Sequence, residues 1–253
     1  MFNTAFKENH VVITMNRPPV NAINREWISA LEEILDEIGR RNDIAVLHLR
    51  SAQAHFSAGA DLKLMQACFS SEASLDDMVE TVRRLQRLYD RIEALPQVTL
   101  AEIDGSAFGG GLELALACDL RVCTHEARLG LPEAALGLLP GAGGTQRLTR
   151  LCGPGQARKI ILTSAHLSGN EALDAGLVQW SVPKAEIAEF TESLVIRIAR
   201  SSASALAACK RCLAVADGTS SPGMQVELLE TYRLFHDTDT RSRVSNFINQ
   251  RGQ

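Results

Sequence analysis

No stretch of this 253-residue chain approaches the roughly 20 apolar residues that span a bilayer, so no membrane-crossing helix is expected. Nor is there a basic surplus. Twenty-six Lys and Arg against 30 Asp and Glu leave a net charge of -4, whereas nucleic-acid binding usually shows as a strongly basic patch. Neither a membrane nor a nucleic acid is therefore an expected partner. A zinc pattern is missing as well. Of the six cysteines (Cys68, Cys118, Cys123, Cys152, Cys209 and Cys212), only Cys209 and Cys212 have ligand-like spacing, and no second Cys or His pair completes a site. Reduced, mostly buried thiols are expected instead. The histidines at 10, 48, 55, 125, 166 and 236 are isolated, so none is assigned to metal or catalysis. Met1 to Asn9 is polar and runs straight into a strand-like segment, unlike a signal or transit peptide, which makes the cytoplasm the expected compartment. There is no low-complexity tract and no internal repeat.

What is present is an alternation of strand and helix patterns. His10–Met15, Ile44–Leu49, Val98–Ile103 and Leu120–Cys123 read as strands. Between them, Ile23–Arg41 places Trp27, Leu31, Ile34, Leu35 and Ile38 on one helical face, and Leu75–Leu95 forms a second amphipathic helix. This order predicts an α/β fold. From about Gly153 the chain reads as mainly helical, over Lys184–Arg200, Ser204–Ala216, Gly223–His236 and Thr240–Gln250, with one strand at Leu177–Val182 and a break at Gly218–Gly223.

Glu113 is the only polar side chain in the run Ala107 to Cys118, which carries three glycines at 109, 110 and 111. As a helix, this segment is apolar all round and therefore buried. A buried carboxylate needs a partner or a raised pKa, and either makes it a candidate acid or base. The glycines leave free N–H groups at a helix start and room for close approach, so a Cβ at Gly110 is expected to meet crowding. Glu133 repeats the pattern as the only charged residue between Arg128 and Arg147. A single such acid is as readily a satisfied core residue; two among glycines favour paired acid/base chemistry. The Gly141–Gly144 segment lacks both phosphate-loop spacings and reads as a tight turn before a helix, beside Glu133.

Three blocks together resemble the enoyl-CoA hydratase/isomerase family, the crotonase superfamily: Phe56-Ser57-Ala58-Gly59-Ala60-Asp61-Leu62-Lys63, Ile103 through Ala115 to Cys118-Asp119, and Leu131-Pro132-Glu133 through Leu148. The resemblance implies a spiral of ββα units with a helical C-terminal region that packs into trimers or dimers of trimers. Residues 1–195 then form the core and 196–253 the oligomerising helices. It implies an acyl-CoA thioester as substrate, with coenzyme A as part of that substrate and no separate cofactor or metal, and hydration chemistry of the kind used in fatty-acid β-oxidation. By motif position the backbone amides of Ala58 and Gly110 hold the thioester oxyanion. Ala58, Gly59, Ala60, Asp61, Gly110 and Gly141 contact substrate, and Glu113 and Glu133 act on one water. Asp61 more simply caps the following helix. Both acids together favour a trans-2-enoyl-CoA hydratase. The alternatives are a Δ3-Δ2-enoyl-CoA isomerase and a catalytically silent acyl-CoA-binding or scaffolding member. Two places depart from the family pattern. The Asn16-Arg17-Pro18 to Asn21-Ala22 loop is short and lacks a lysine, and Phe247-Ile248-Asn249-Gln250-Arg251 alters a C-terminal motif. Lys63, Arg17 and Arg251 are therefore candidates for nucleotide phosphate contact.

Overall fold

A computed structural model of the chain describes residues 1–62, 64, 66, 72–215, 229–234, 237–240, 242 and 243. A six-stranded sheet runs in the order β1 (Phe2–Phe6), β2 (His10–Met15), β3 (Val46–Ser51), β4 (Val98–Ile103), β6 (Leu120–Thr124), β9 (Trp180–Val182). Only the β1–β2 pairing is antiparallel. A small second sheet joins β5 (Ser106–Phe108), β7 (Arg128–Gly130) and β8 (His166–Ser168). The helices are α1 (Arg25–Ile38), α2 (Glu72–Ala94), α3 (Gly110–Leu116), α4 (Gly144–Leu162), α5 (Gly169–Asp174), α6 (Ile187–Ala199) and α7 (Ala203–Ala214), with a 3₁₀ helix at Pro132–Leu136.

The α/β expectation holds, and the apolar strands show why. Parallel strands covered on both faces read as continuous hydrophobic runs, and every residue of β4 is buried. Leu47, Leu49, Ala101 and Ile103 face a large core shared with α1, α2, α3 and α4, while Val46, Leu100 and Val122 face a second core under α6. The inferred boundary at residue 195 falls inside α6, whose Leu194, Val195 and Ala199 all pack in that second core.

The path that builds the site is a repeated outward step. Strand β4 leads into β5 and then α3; β6 leads into β7, the 3₁₀ helix and α4. An isolated bridge between Ser57 and Ala107 gives the chain after β3 the same step. The amphipathic helices start and stop near their expected places, with Asn24 capping α1 by accepting from the Trp27 N–H at 2.9 Å. The C-terminal reading is corrected at one point: His166–Ser168 forms a strand, β8, paired antiparallel with β7. The expected helices at Gly223–His236 and Thr240–Gln250 lie largely outside the described residues. The thiols are less uniformly buried than expected. Cys118 and Cys123 are buried and Cys209 is exposed.

Candidate active site

Helix α3 is buried along its whole length, as its apolar run predicts. Its one polar side chain, Glu113, is 2% exposed. Oε1 of Glu113 accepts two backbone N–H groups, from Ala142 and Gly144, each at 2.8 Å. The Gly141–Gly144 turn thus serves Glu113 rather than Glu133. A methyl on Gly144 would lie 2.8 Å from Glu113 Oε1, so glycine is what lets the turn close on the carboxylate. The turn is held from behind by buried Arg147, whose guanidinium donates to the Ala142 carbonyl at 3.0 Å and pairs with Asp90 and Glu93 at 2.6 and 2.9 Å.

Glu133 sits on the 3₁₀ helix, in its first turn. A methyl on Gly109 would approach Glu133 Oε1 to 2.7 Å, and the Glu133 charge is close enough to act on Glu113. Glu133 Oε2 is buried with no hydrogen-bond partner among the described residues. Burial raises the pKa of both groups. For Glu113 burial dominates; the Gly144 amide opposes it, the Glu133 charge adds to it, and the result is a pKa pushed up to about 7. The structure therefore brings together the two acids that sequence spacing alone could not join.

The amides near Ala58 require a correction. Ala58 N–H donates to the Val20 carbonyl at 3.0 Å and is not free for a ligand. Gly59 N–H donates to Ser57 Oγ at 3.1 Å, and Asp61 N–H to the Ile23 carbonyl at 3.0 Å. Within this segment only Ala60 N–H has no acceptor among the described residues, because its parallel bridge with Ile23 uses the flanking peptides. Gly110, the first residue of α3, has no intrahelical acceptor for its N–H. A methyl on Gly110 would lie 3.8 Å from Ala60 N, so these two free amides are neighbours. The expected crowding falls elsewhere. At Gly110 the nearest atom to such a methyl is Ile23 Cδ1 at 3.4 Å, whereas at Gly111 it is the Ser57 carbonyl oxygen at 2.4 Å.

Other expected contacts sort as follows. Asp61 accepts from Arg17 at 3.1 Å, and Arg17 also donates to the Ala22 carbonyl at 2.8 Å, so Arg17 braces the loop rather than standing free for phosphate. Lys63 and Arg251 lie outside the described residues. The Gly141 carbonyl accepts from Gln86 at 2.6 Å. Sequence reading missed Tyr89, fully buried on α2, whose hydroxyl donates to the Gly110 carbonyl at 2.7 Å. Burial and then the Glu113 charge hold its pKa well above the usual phenol value. Nothing in the helical period of α2 distinguishes that tyrosine from an ordinary core aromatic.

One cavity adjoins α3 and another opens at Ala60. The first, about 730 Å³, lies beside the C-terminal end of α3, lined by Cys118, Arg121 and Arg147, and touches neither acid. The other, about 410 Å³, opens at Ala60 and Ile23 and runs between α1 and α2.

A model of the enoyl-CoA hydratase/isomerase family matches residues 5–252. The chain belongs to that family. A Bacillus subtilis protein named probable enoyl-CoA hydratase is 35% identical over 242 residues, covering 95% of this chain and 92% of that protein. A short-chain-enoyl-CoA hydratase of Clostridium acetobutylicum is 34% identical over 195 residues, 76% of this chain and 73% of its own length. The crystal structure of an enoyl-CoA hydratase from Bacillus anthracis superposes with a TM-score of 0.91 at 32% identity, covering 98% of this chain and 96% of that one. The fold of the family member described here is accordingly the crotonase fold.

Proposed function

We propose that this member of the family adds water across the double bond of a trans-2-enoyl-CoA, giving a 3-hydroxyacyl-CoA. The observation that carries the reading is the carboxyl pair. The Glu133 charge acts on Glu113, burial raises the pKa of both groups, and Glu133 keeps a buried oxygen without a partner among the described residues where a water could be held. Shifting a double bond within the chain needs one base, whereas hydration needs a proton removed from water and another delivered to carbon. Two buried carboxyls, each with a raised pKa, suit the second task. One carboxylate takes the water proton as oxygen bonds to C3; C2 takes a proton from the other side of the pair, and the thioester returns from its enolate form.

The enolate needs its oxygen stabilised. The neighbouring N–H groups of Ala60 and Gly110 support that role. Both are fixed before substrate arrives, and Gly110 adds the positive end of a helix. One such donor is worth about 2.7–4 kcal/mol in other enzymes. Substrate and assembly remain as the resemblance has them: an acyl-CoA thioester, and a homo-oligomer of three or six subunits. Incubation with crotonyl-CoA, followed by loss of the conjugated thioester absorbance, tests the reading. Conversion of a 3-enoyl-CoA to its 2-enoyl isomer without any hydration would make the protein an isomerase, and inertness towards both would make it a binding member.

A further inference from the structure

The cavity that opens at Ala60 has apolar walls from both helices. Ile28 of α1 faces Met78, Val82 and Leu85 of α2 across it. Its remaining wall is polar and specific. Arg25, at the start of α1, pairs with Asp77 on α2 and donates to Thr81 Oγ1 at 3.1 Å, and all three residues line the cavity. The two helices are joined again further along. Arg84 pairs with Glu32 and donates to Ser29 at 2.9 Å, and Arg91 pairs with Asp36. Those cross-links lie outside the cavity lining. The pairs ascend both helices in the same order, so α1 and α2 run parallel and are stitched at intervals, with the cavity at their N-terminal ends.

We propose that the Arg25–Asp77–Thr81 stitch closes the acyl-chain cavity between α1 and α2 and sets the longest acyl chain this protein accepts. This rests on the hydratase reading, because it starts from a thioester held at Ala60 and Gly110. A chain growing from that point buries methylenes against Ile28, Val82 and Leu85, each worth about fourfold in binding. A chain that outgrows those apolar walls meets the guanidinium and carboxylate that line the same cavity. Entry there must strip or separate an ion pair, which cancels the gain. The pair is exposed on its outer side, so it is a weak closure that substitution can open without unfolding the protein.

The experiment is a chain-length series of trans-2-enoyl-CoA substrates, from four carbons upward by two, with kcat/KM measured for wild type, Arg25→Ala, Asp77→Ala and Arg91→Ala. Wild type should gain with each added pair of carbons up to a break, then flatten or fall. Both stitch variants should move that break to chains at least two carbons longer, raising kcat/KM beyond the wild-type break by about 16-fold for each two-carbon step gained. Arg91→Ala, which loosens the same helices away from the cavity, should leave the break in place. An unmoved break in both stitch variants overturns the proposal, and so does an equal shift in Arg91→Ala. Absence of hydration at every length sinks the hydratase reading instead. The stitch is then judged by calorimetric affinities of saturated acyl-CoAs of the same lengths, where an unmoved break again overturns it.

Discussion

Burial alone would keep Glu113 protonated; two backbone amides on Oε1 pull the other way, and its pKa is pushed up to about 7 from 4.5. The folded protein therefore holds that proton to a higher pH than the unfolded chain. The stability this gives is complete below about pH 4.5 and is lost as pH rises towards 7, a swing on the order of 3 kcal/mol. Glu113→Gln keeps an oxygen for the Ala142 and Gly144 amides and removes the charge. It should match wild type in urea denaturation at pH 4 and exceed it at pH 8. A mutant no more stable than wild type at pH 8 would mean the carboxylate is not held against burial. The same substitution, and Glu133→Gln, should each lower hydration by about 10²–10⁴-fold with the fold kept; wild-type turnover in either removes that acid from the mechanism. Gly109→Ala should also lower turnover, by tenfold or more on the scale of a misplaced catalytic group, because its methyl would displace Glu133 Oε1 and its φ of 50° suits glycine. The acids were legible in the sequence as lone charges in apolar runs. The free amide was not, because which N–H of Ala58 to Asp61 lacks an acceptor depends on Val20 and Ile23, whose pairing no local pattern encodes.

Elements were legible in proportion to their length. The six-residue strands and the long amphipathic helices carry a period; the three-residue strands β5, β7 and β8 do not, and they exist because β4 and β6 deliver the chain to a second sheet. At this scale the two ends of α3 give predictions. Ala60→Pro deletes an N–H that has no acceptor among the described residues, so its loss should appear in turnover, about 10²–10³-fold, with circular dichroism unchanged. Ala58→Pro deletes the bond to Val20 and should appear as lost stability first. Folded Ala60→Pro with normal turnover would show that the thioester oxygen is held elsewhere. At the other end, the buried Arg121 guanidinium donates to the Cys118, Ala115 and Leu177 carbonyls, at 2.5, 3.2 and 2.7 Å. It satisfies the C-terminal carbonyls of the helix that presents Gly110 and Glu113, and opposes the negative end of its dipole. Arg121→Met should cost about 1–3 kcal/mol in urea denaturation for each carbonyl left unpaired; an unchanged midpoint would mean those carbonyls find other donors.

The single chain leaves large apolar side chains in water: Leu136 is 59% exposed, Leu139 67%, Leu162 73% and Leu213 73%. Scattered exposed leucines are ordinary, but Leu136, Leu138 and Leu139 are close together in sequence, three to six residues after Glu133, and all are exposed. An apolar run does not say whether its own chain or a neighbour covers it. Among the described residues no helix is long and apolar enough to cross a membrane, so a bilayer-spanning helix does not account for those leucines. We propose that another subunit covers them, in line with the trimeric assembly that the family resemblance implies. Closed cyclic assembly would bury the same patch on every copy. Light scattering should therefore return about three or six times the 27.5 kDa chain mass. Leu139→Asp places a charge among these leucines and should shift that mass downward, with hydration falling alongside it if a neighbouring subunit completes the wall next to Glu133. A wild-type mass near 27.5 kDa would reject the assembly. An unchanged mass in Leu139→Asp would move the interface elsewhere and leave those leucines facing solvent.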